Sequence, residues 1–156
     1  MPPAPFSVDE YVRWSDVDHA GIIFYGSYIR FFEIAETEMF RSVGLPYTEF
    51  FNRFAIWLPR VHFDCDFKYP ARLDDRLRVA TYVPRVGTTS VSLRFDVLHL
   101  AAGRLAATGH EVLVCTDRDS LRPTPLPAEL RSALGPFMMT DREARAHLGI
   151  GAGADA

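Results

Sequence analysis

Lysine is nearly missing from this chain: Lys68 stands alone among 17 basic residues, and the rest are arginines. A bias of that kind is compositional and marks no phosphate site by itself. The formal net charge is −3, so bulk electrostatics give no support for nucleic-acid binding. Cysteine is scarce as well. Cys65 and Cys115 both fall inside strand-like patterns, where a small buried thiol is ordinary; a disulfide between them stays open, but nothing suggests a secreted disulfide scaffold. No apolar run approaches the length of a membrane span. The opening Met1-Pro2-Pro3-Ala4-Pro5 lacks a basic stretch followed by an apolar one, so no signal peptide is expected and the cytoplasm is the expected location. Gly149-Ile150-Gly151-Ala152-Gly153 follows no strand, which argues against a dinucleotide loop. No serine sits in a nucleophile elbow. His19, His62, His99, His110 and His147 show no metal-ligand spacing, so neither a metal nor another cofactor is expected.

What is present is a sizeable core. The 156 residues are 48% hydrophobic and include 12 Phe and 6 Tyr, enough for one domain with aromatic surface left to line a pocket. Phe6 to Trp14 reads as a strand and Ser15 to Gly26 as a loop. Ser27 to Val43 reads as a helix stopped by Gly44 and Pro46. On a wheel of about 100° per residue, Arg30, Glu33, Thr37, Glu38 and Arg41 share one arc. Tyr28, Ile29, Phe32, Ala35, Met39, Phe40 and Val43 cover the other, and Phe31 and Ile34 intrude on the polar side. Such a helix is covered on most sides.

Tyr47 to Phe54 reads as a short helix or turn. Val61, Phe63, Cys65, Phe67 and Tyr69 alternate with polar residues, as in a strand with one buried face. Leu77 to Val83, Val91 to Val97 and Arg104 to Thr116 supply three more strands, with a hairpin-like break over Pro84 to Thr88. Short helices are predicted over Ala128 to Leu134 and Asp141 to Leu148, and a loose tail over Gly149 to Ala156. One strand, one long helix and four further strands make an α+β domain with an antiparallel sheet. The domain is placed at residues 1–140, with a short helix and tail over 141–156.

The most telling stretch runs from Val12 to Glu33. A strand ends in Asp16 and Asp18, Gly21 follows, and a strongly apolar helix begins shortly after. Backbone N–H groups at a helix N-terminus are unpaired and partly positive, so they can polarise a carbonyl or hold an oxyanion. A carboxylate facing such groups is equipment for acyl transfer. A loop aspartate on its own serves just as well as a turn former.

Asp16, Asp18, Gly21, Tyr25, Tyr28, Phe31, Phe32 and Glu33 resemble the Asp-x-Asp-x-x-Gly loop and helix of the 4-hydroxybenzoyl-CoA thioesterase family of hot-dog proteins. Lys68-Tyr69-Pro70-Ala71-Arg72-Leu73-Asp74-Asp75, Thr88-Thr89-Ser90-Val91 and Ala107 to Cys115 are similar to its later passages, and the likeness spans roughly residues 6 to 135. The resemblance implies a sheet wrapped around the central helix. It implies Asp18 as the catalytic carboxylate, acting as nucleophile or general base. It also implies that the Tyr25 backbone N–H is the oxyanion donor, with Tyr28 and Phe32 at the acyl pocket. Some branches carry histidine where this chain has Tyr25, so a histidine-assisted route is not expected here. The expected assembly is a homodimer or homotetramer with sites at the subunit contact.

Asp16 reads as a loop former. Glu36 is out of place: it falls inside the apolar arc, between Val43 and Ile29, and must be paired if buried. One use for it is substrate binding or action with Asp18; the other is an ion pair with an arginine across a subunit contact. Arg85 precedes the hairpin where the resemblance implies CoA phosphates, although the basic cluster of the aromatic-CoA branch is mostly replaced by Val86, Gly87, Thr88 and Thr89. Arg60, Arg72 and Arg118 are further candidates. The expected function is hydrolysis of an acyl-CoA thioester to the free acid and CoA. The expected partner is that substrate alone, without nucleic acid or membrane. A hot-dog dehydratase or hydratase, and a non-enzymatic acyl-thioester binder, are the alternatives.

Overall fold

The computed structural model describes residues 2–151. Strand β1 (Phe6–Tyr11) leads to helix α1 (Tyr28–Ser42), then α2 (Tyr47–Phe54) and a two-residue strand β2 (Ile56–Trp57). Strands β3 (Arg60–Phe67), β4 (Arg76–Val86), β5 (Ser90–His99), β6 (Arg104–Val114) and β7 (Thr116–Asp117) follow, and α3 (Ala128–Leu134) and α4 (Asp141–His147) close the sequence of elements. Five strands form one antiparallel sheet in the order β1-β4-β5-β6-β3, while β2 and β7 pair separately. This is the α+β, hot-dog arrangement expected from the sequence. No helix among the described residues is long and apolar enough to cross a membrane.

Helix α1 buries one broad face, made by Tyr28, Phe31, Phe32, Ala35, Glu36, Met39 and Phe40, while Ile29 of the apolar arc is 52% exposed and Glu33 and Arg41 face solvent, so the helix is covered on about half its circumference rather than on most sides. Phe31, an intruder on the polar arc, is covered by the Arg30 guanidinium, 4.5 Å above its ring. The helix sits close on the sheet because Gly109 of β6 has no side chain. A Cβ there would come within 2.5 Å of the Phe32 ring, which stacks on Phe95 at 4.6 Å.

Three strand readings change. β1 stops at Tyr11 rather than Trp14, because Val12 exchanges hydrogen bonds with Asp74 and Asp75 and Trp14–Asp16 then forms a 3-10 turn. β4 runs through Pro84, which lies at an irregularity between Tyr82 and Arg85 where a missing N–H is tolerated. The buried face expected for β3 is not buried within one chain. Val61, Phe63 and Phe67 are 62%, 41% and 57% exposed, because β3 is the edge strand and pairs only with β6. On the sheet face away from α1, Ala144 of α4 packs with Tyr82 and Met139, and Arg145 pairs with Asp96. Residues 152–156 of the expected tail lie outside the described residues.

Candidate active site

The Asp loop is built from its entry inward. Asp16 is buried, and its Oδ2 accepts the Arg13 N–H at 2.7 Å. Arg30 donates Nε to Oδ1 at 2.8 Å and Nη2 to Oδ2. The Asp16 carbonyl accepts the Phe24 N–H at 2.8 Å and the Ser27 hydroxyl at 3.0 Å. Asp16 therefore ties the 3-10 turn after β1 to the first turn of α1.

Asp18 stands in the turn that this frame holds. Its carbonyl accepts the Gly21 N–H at 3.0 Å, and Gly21 takes a φ of +76° that suits glycine. Asp18 Oδ1 accepts the Ala20 N–H at 2.8 Å, the turn-forming role open to any loop aspartate. Its Oδ2 accepts no hydrogen bond among the described residues and the side chain is exposed. Tyr25 opens a 3-10 turn, Tyr25–Ser27, that runs directly into α1. The Tyr25 and Gly26 N–H groups make no hydrogen bond among the described residues, as is usual for the first donors of a helical turn, and the helix field there is positive.

Asp18, Tyr25 and Tyr28 line one cleft of about 410 Å³, closed on the far side by Phe67, Lys68, Tyr69 and Ala71. The floor is apolar: Tyr28 is buried, 5.6 Å from Phe67 between ring centroids, and burial drives its phenol far above the usual range. Ile23 donates its N–H to the Ala71 carbonyl at 2.8 Å, so the Lys68–Ala71 passage is stitched to the Asp loop. Cys65 nearby is a free thiol that burial pushes up to about 12, which leaves it inert. His19 is exposed and borders a separate outer hollow with Trp14 and Leu73 that also touches Asp18.

The remaining expected residues sit elsewhere. Phe32 is fully buried in the core, 6.3 Å from Tyr28, and supports the cleft from behind rather than lining it. Glu36 is buried and accepts hydrogen bonds from the Tyr47 hydroxyl and from Arg60 of the same chain. It lines a second cavity with Glu111. Arg85 is exposed opposite Ser92, and its side chain makes no hydrogen bond or ion pair among the described residues. Arg118 is spent internally, on the Phe51 carbonyl and over the Trp57 ring.

Sequence spacing misses two groupings. Lys68 enters the cleft wall only through the β3–β4 passage. His62, Asp64 and His110 come together across β3 and β6, with His62 Nε2 2.7 Å and His110 Nδ1 3.4 Å from Asp64 Oδ2. Linear spacing puts His62 and Asp64 on one face of β3, but His110 joins them only through the β3–β6 register.

The sheet and helix are those of the hot-dog class, and the named relatives of this chain are thioester hydrolases, which makes it one as well. Residues 12–134 match the thioesterase-like superfamily, and the chain belongs to it. It is 29% identical over 147 residues to a 1,4-dihydroxy-2-naphthoyl-CoA hydrolase of Thermosynechococcus vestitus, covering 92% of this chain and 99% of that protein. It is 29% identical over 124 residues to the acyl-CoA thioester hydrolase YbgC of Escherichia coli, covering 76% of this chain and 87% of the relative. The crystal structure of Slr0204, a 1,4-dihydroxy-2-naphthoyl-CoA thioesterase from Synechocystis, shares the fold with a TM-score of 0.79 at 22% identity, over 84% of this chain and 96% of that one.

Proposed function

We propose that this chain hydrolyses acyl-CoA thioesters to the free acid and CoA, with Asp18 as nucleophile or general base and the Tyr25 backbone N–H as oxyanion donor. The observation that carries the reading is the shared cleft: an open Asp18 Oδ2 and an unpaired Tyr25 N–H border the same apolar hollow. As nucleophile, Asp18 attacks the thioester carbon and expels the CoA thiolate, and water then hydrolyses the mixed anhydride. As base, it takes the proton of the attacking water. In both routes negative charge gathers on the carbonyl oxygen, where the Tyr25 N–H and the helix field oppose it. The likeness of the Asp loop to the 4-hydroxybenzoyl-CoA branch and the names of the relatives support the same chemistry.

Tyr28 and Phe67 form the apolar wall for the acyl group, with Phe32 packed behind them. Arg85 holds the anionic end of CoA. A second copy completes the assembly, since the open edge of β3 and the exposed Val61, Phe63 and Phe67 form one apolar strip that a monomer leaves in water. Phe63→Glu should then yield a smaller species by sedimentation.

The test is thiol release across a panel of acyl-CoA esters with the wild type and Asp18→Asn. The amide keeps the shape and removes the charge, so kcat should fall by about two orders of magnitude or more while the melting temperature holds. Near-normal turnover in a folded Asp18→Asn protein would end the assignment. Double-bond hydration, or tight binding without turnover in the wild type, would replace the hydrolase reading.

A further inference from the structure

Strand β3 turns Phe63 and Phe67 towards α1: their rings stand 5.9 Å from Phe32 and 5.6 Å from Tyr28. His62, Asp64 and Asp66 alternate with them and therefore face the other way. On β6 the Gly109 position meets Phe32, so His110 also lies on that far face. Asp64 and His110 are direct cross-strand partners, and His62 stands two residues along from Asp64. Three groups able to ligate a metal thus share the outer surface of the sheet. They lie beside the open edge of β3 and across the sheet from the cleft that Tyr28 and Phe67 line with Asp18.

Asp64 Oδ2 is the centre of the group. His62 Nε2 lies 2.7 Å from it and His110 Nδ1 3.4 Å, and the three atoms are all within 4.8 Å of one another. A tetrahedral zinc ion with nitrogen and oxygen ligands at about 2.0–2.1 Å sets those ligands roughly 3.3–3.4 Å apart. The spacing of His110 and Asp64 already has that value, and His62 need draw back by less than about 1 Å. Hydrogen bonding alone uses the group poorly. Asp64 Oδ2 takes His62 at a good distance, while His110 stands too far off for a second strong bond. Two protonated imidazoles with ring centres 5.4 Å apart would repel, whereas one dication serves both nitrogens and the carboxylate together. The nearby arginines on this face are turned to other carboxylates. Arg94, across from His110 on β5, meets Asp141 at 3.1 Å, and Arg145 meets Asp96 at 3.3 Å. The His62 and Asp64 side chains are each 51% exposed, so an ion has a path in and water can fill a fourth position.

We propose that His62, Asp64 and His110 bind a zinc ion, with water in the fourth position. Two imidazoles and one carboxylate suit a divalent transition metal, while magnesium and calcium call for oxygen ligands. Expecting no metal from linear spacing overlooks a ligand supplied across strands. The role is structural and separate from thioester hydrolysis, because the trio faces away from the Asp18 cleft. His62 and Asp64 come from β3 and His110 from β6, so the ion clips the edge strand to the one strand that holds it. The three ligands meet only when β3 and β6 are paired in this register. Zinc therefore binds the folded chain more tightly than the unfolded one and stabilises it.

The experiment titrates Zn²⁺ into the untagged, metal-stripped full chain by calorimetry and follows the melting temperature in parallel. The wild type should bind one zinc per chain at micromolar free zinc. Its melting temperature should rise by about 5 °C or more when free zinc is about one hundred times Kd. His62→Ala, Asp64→Asn and His110→Ala should each weaken binding by about tenfold to a hundredfold or more, since losing a ligand costs at least as much as losing its support. Cys65→Ser should bind zinc as the wild type does. X-ray absorption at the zinc edge reads the site in the wild type, whether or not a variant folds. It should show imidazole and oxygen ligands and no sulfur. Absence of saturable binding at submillimolar zinc would overturn the proposal. So would unchanged affinity in folded His62→Ala and His110→Ala proteins, or a sulfur ligand in the absorption spectrum, which would move the ion to a cysteine.

Discussion

Arg30, in the first turn of α1, closes Nε and Nη2 on the two carboxylate oxygens of Asp16, which is buried in the 3-10 turn that precedes the Asp18 turn. The pair fixes where the Asp loop leaves the sheet and where the helix begins. Those two positions bracket the segment that brings Asp18 and Tyr25 to one cleft. Asp16→Asn leaves Arg30 facing a neutral partner and weakens the bond to the Arg13 N–H. Arg30 is 31% exposed and partly rescued by water, so the loss should be about 2–4 kcal/mol by chemical denaturation. The variant should also lose turnover, since Asp18 follows two residues later. An unchanged denaturation midpoint would show that the pair does not hold the loop.

Glu36 is predicted to support the fold rather than to act on the thioester. It is 1% exposed, and its Oε1 accepts from both Tyr47 and Arg60, whereas Asp18 is exposed in its turn. Glu36→Gln should lower stability by about 1–3 kcal/mol, because Arg60 loses its counter-charge while Glu111 remains beside it. Its effect on kcat should be far smaller than that of Asp18→Asn. A kcat loss as large as Asp18→Asn with an unshifted melting temperature would move the catalytic carboxylate to the helix.

Much of this arrangement is legible in the linear sequence, and its gaps have physical causes. The limits of α1 follow from an apolar arc that ends at Gly44 and Pro46, and α3 is read within its observed limits. Glu36 betrays itself as a carboxylate inside that arc. Its partners do not, because Tyr47, Arg60 and Glu111 come from α2, β3 and β6 and meet only once helix and sheet are docked. The same holds for His62, Asp64 and His110, which need the β3–β6 register. Alternation in β3 correctly marks one apolar face, but alternation cannot say whether the same chain covers it. Val61 and Phe67 show that it does not.

Stability should depend on Glu111 in a defined pH range. Its carboxyl is raised to about 7 in the fold, above an unfolded value of about 4.3. The native state then holds a proton that the unfolded chain releases, so this group takes stability away as pH climbs through that interval. Glu111→Gln has no proton to lose. The melting temperature of Glu111→Gln minus that of the wild type should widen from pH 5 to pH 8 and stay flat below about pH 4. A difference that is constant across the range would mean that Glu111 titrates as an ordinary exposed carboxylate.

CoA is a multiply charged anion, and this chain carries a net charge of −3, so its grip must come from a few local cations rather than from the overall field. Arg60 is paired with Glu36, and Arg118 is bound to the Phe51 carbonyl and to Trp57. Arg85 differs from both. It is exposed at the end of β4 and has no ion pair among the described residues, so its fork is open to a phosphate. Arg85→Ala should raise KM for an acyl-CoA by about three- to tenfold, as expected for one partly solvated charge-assisted contact, and leave kcat nearly unchanged. The same change should barely touch a pantetheine thioester, which lacks the nucleotide. Binding energy made only with that remote end would then be lost equally from ground and transition states. Equal KM increases for the CoA and pantetheine esters would show that Arg85 does not meet the nucleotide and that the phosphates are held elsewhere.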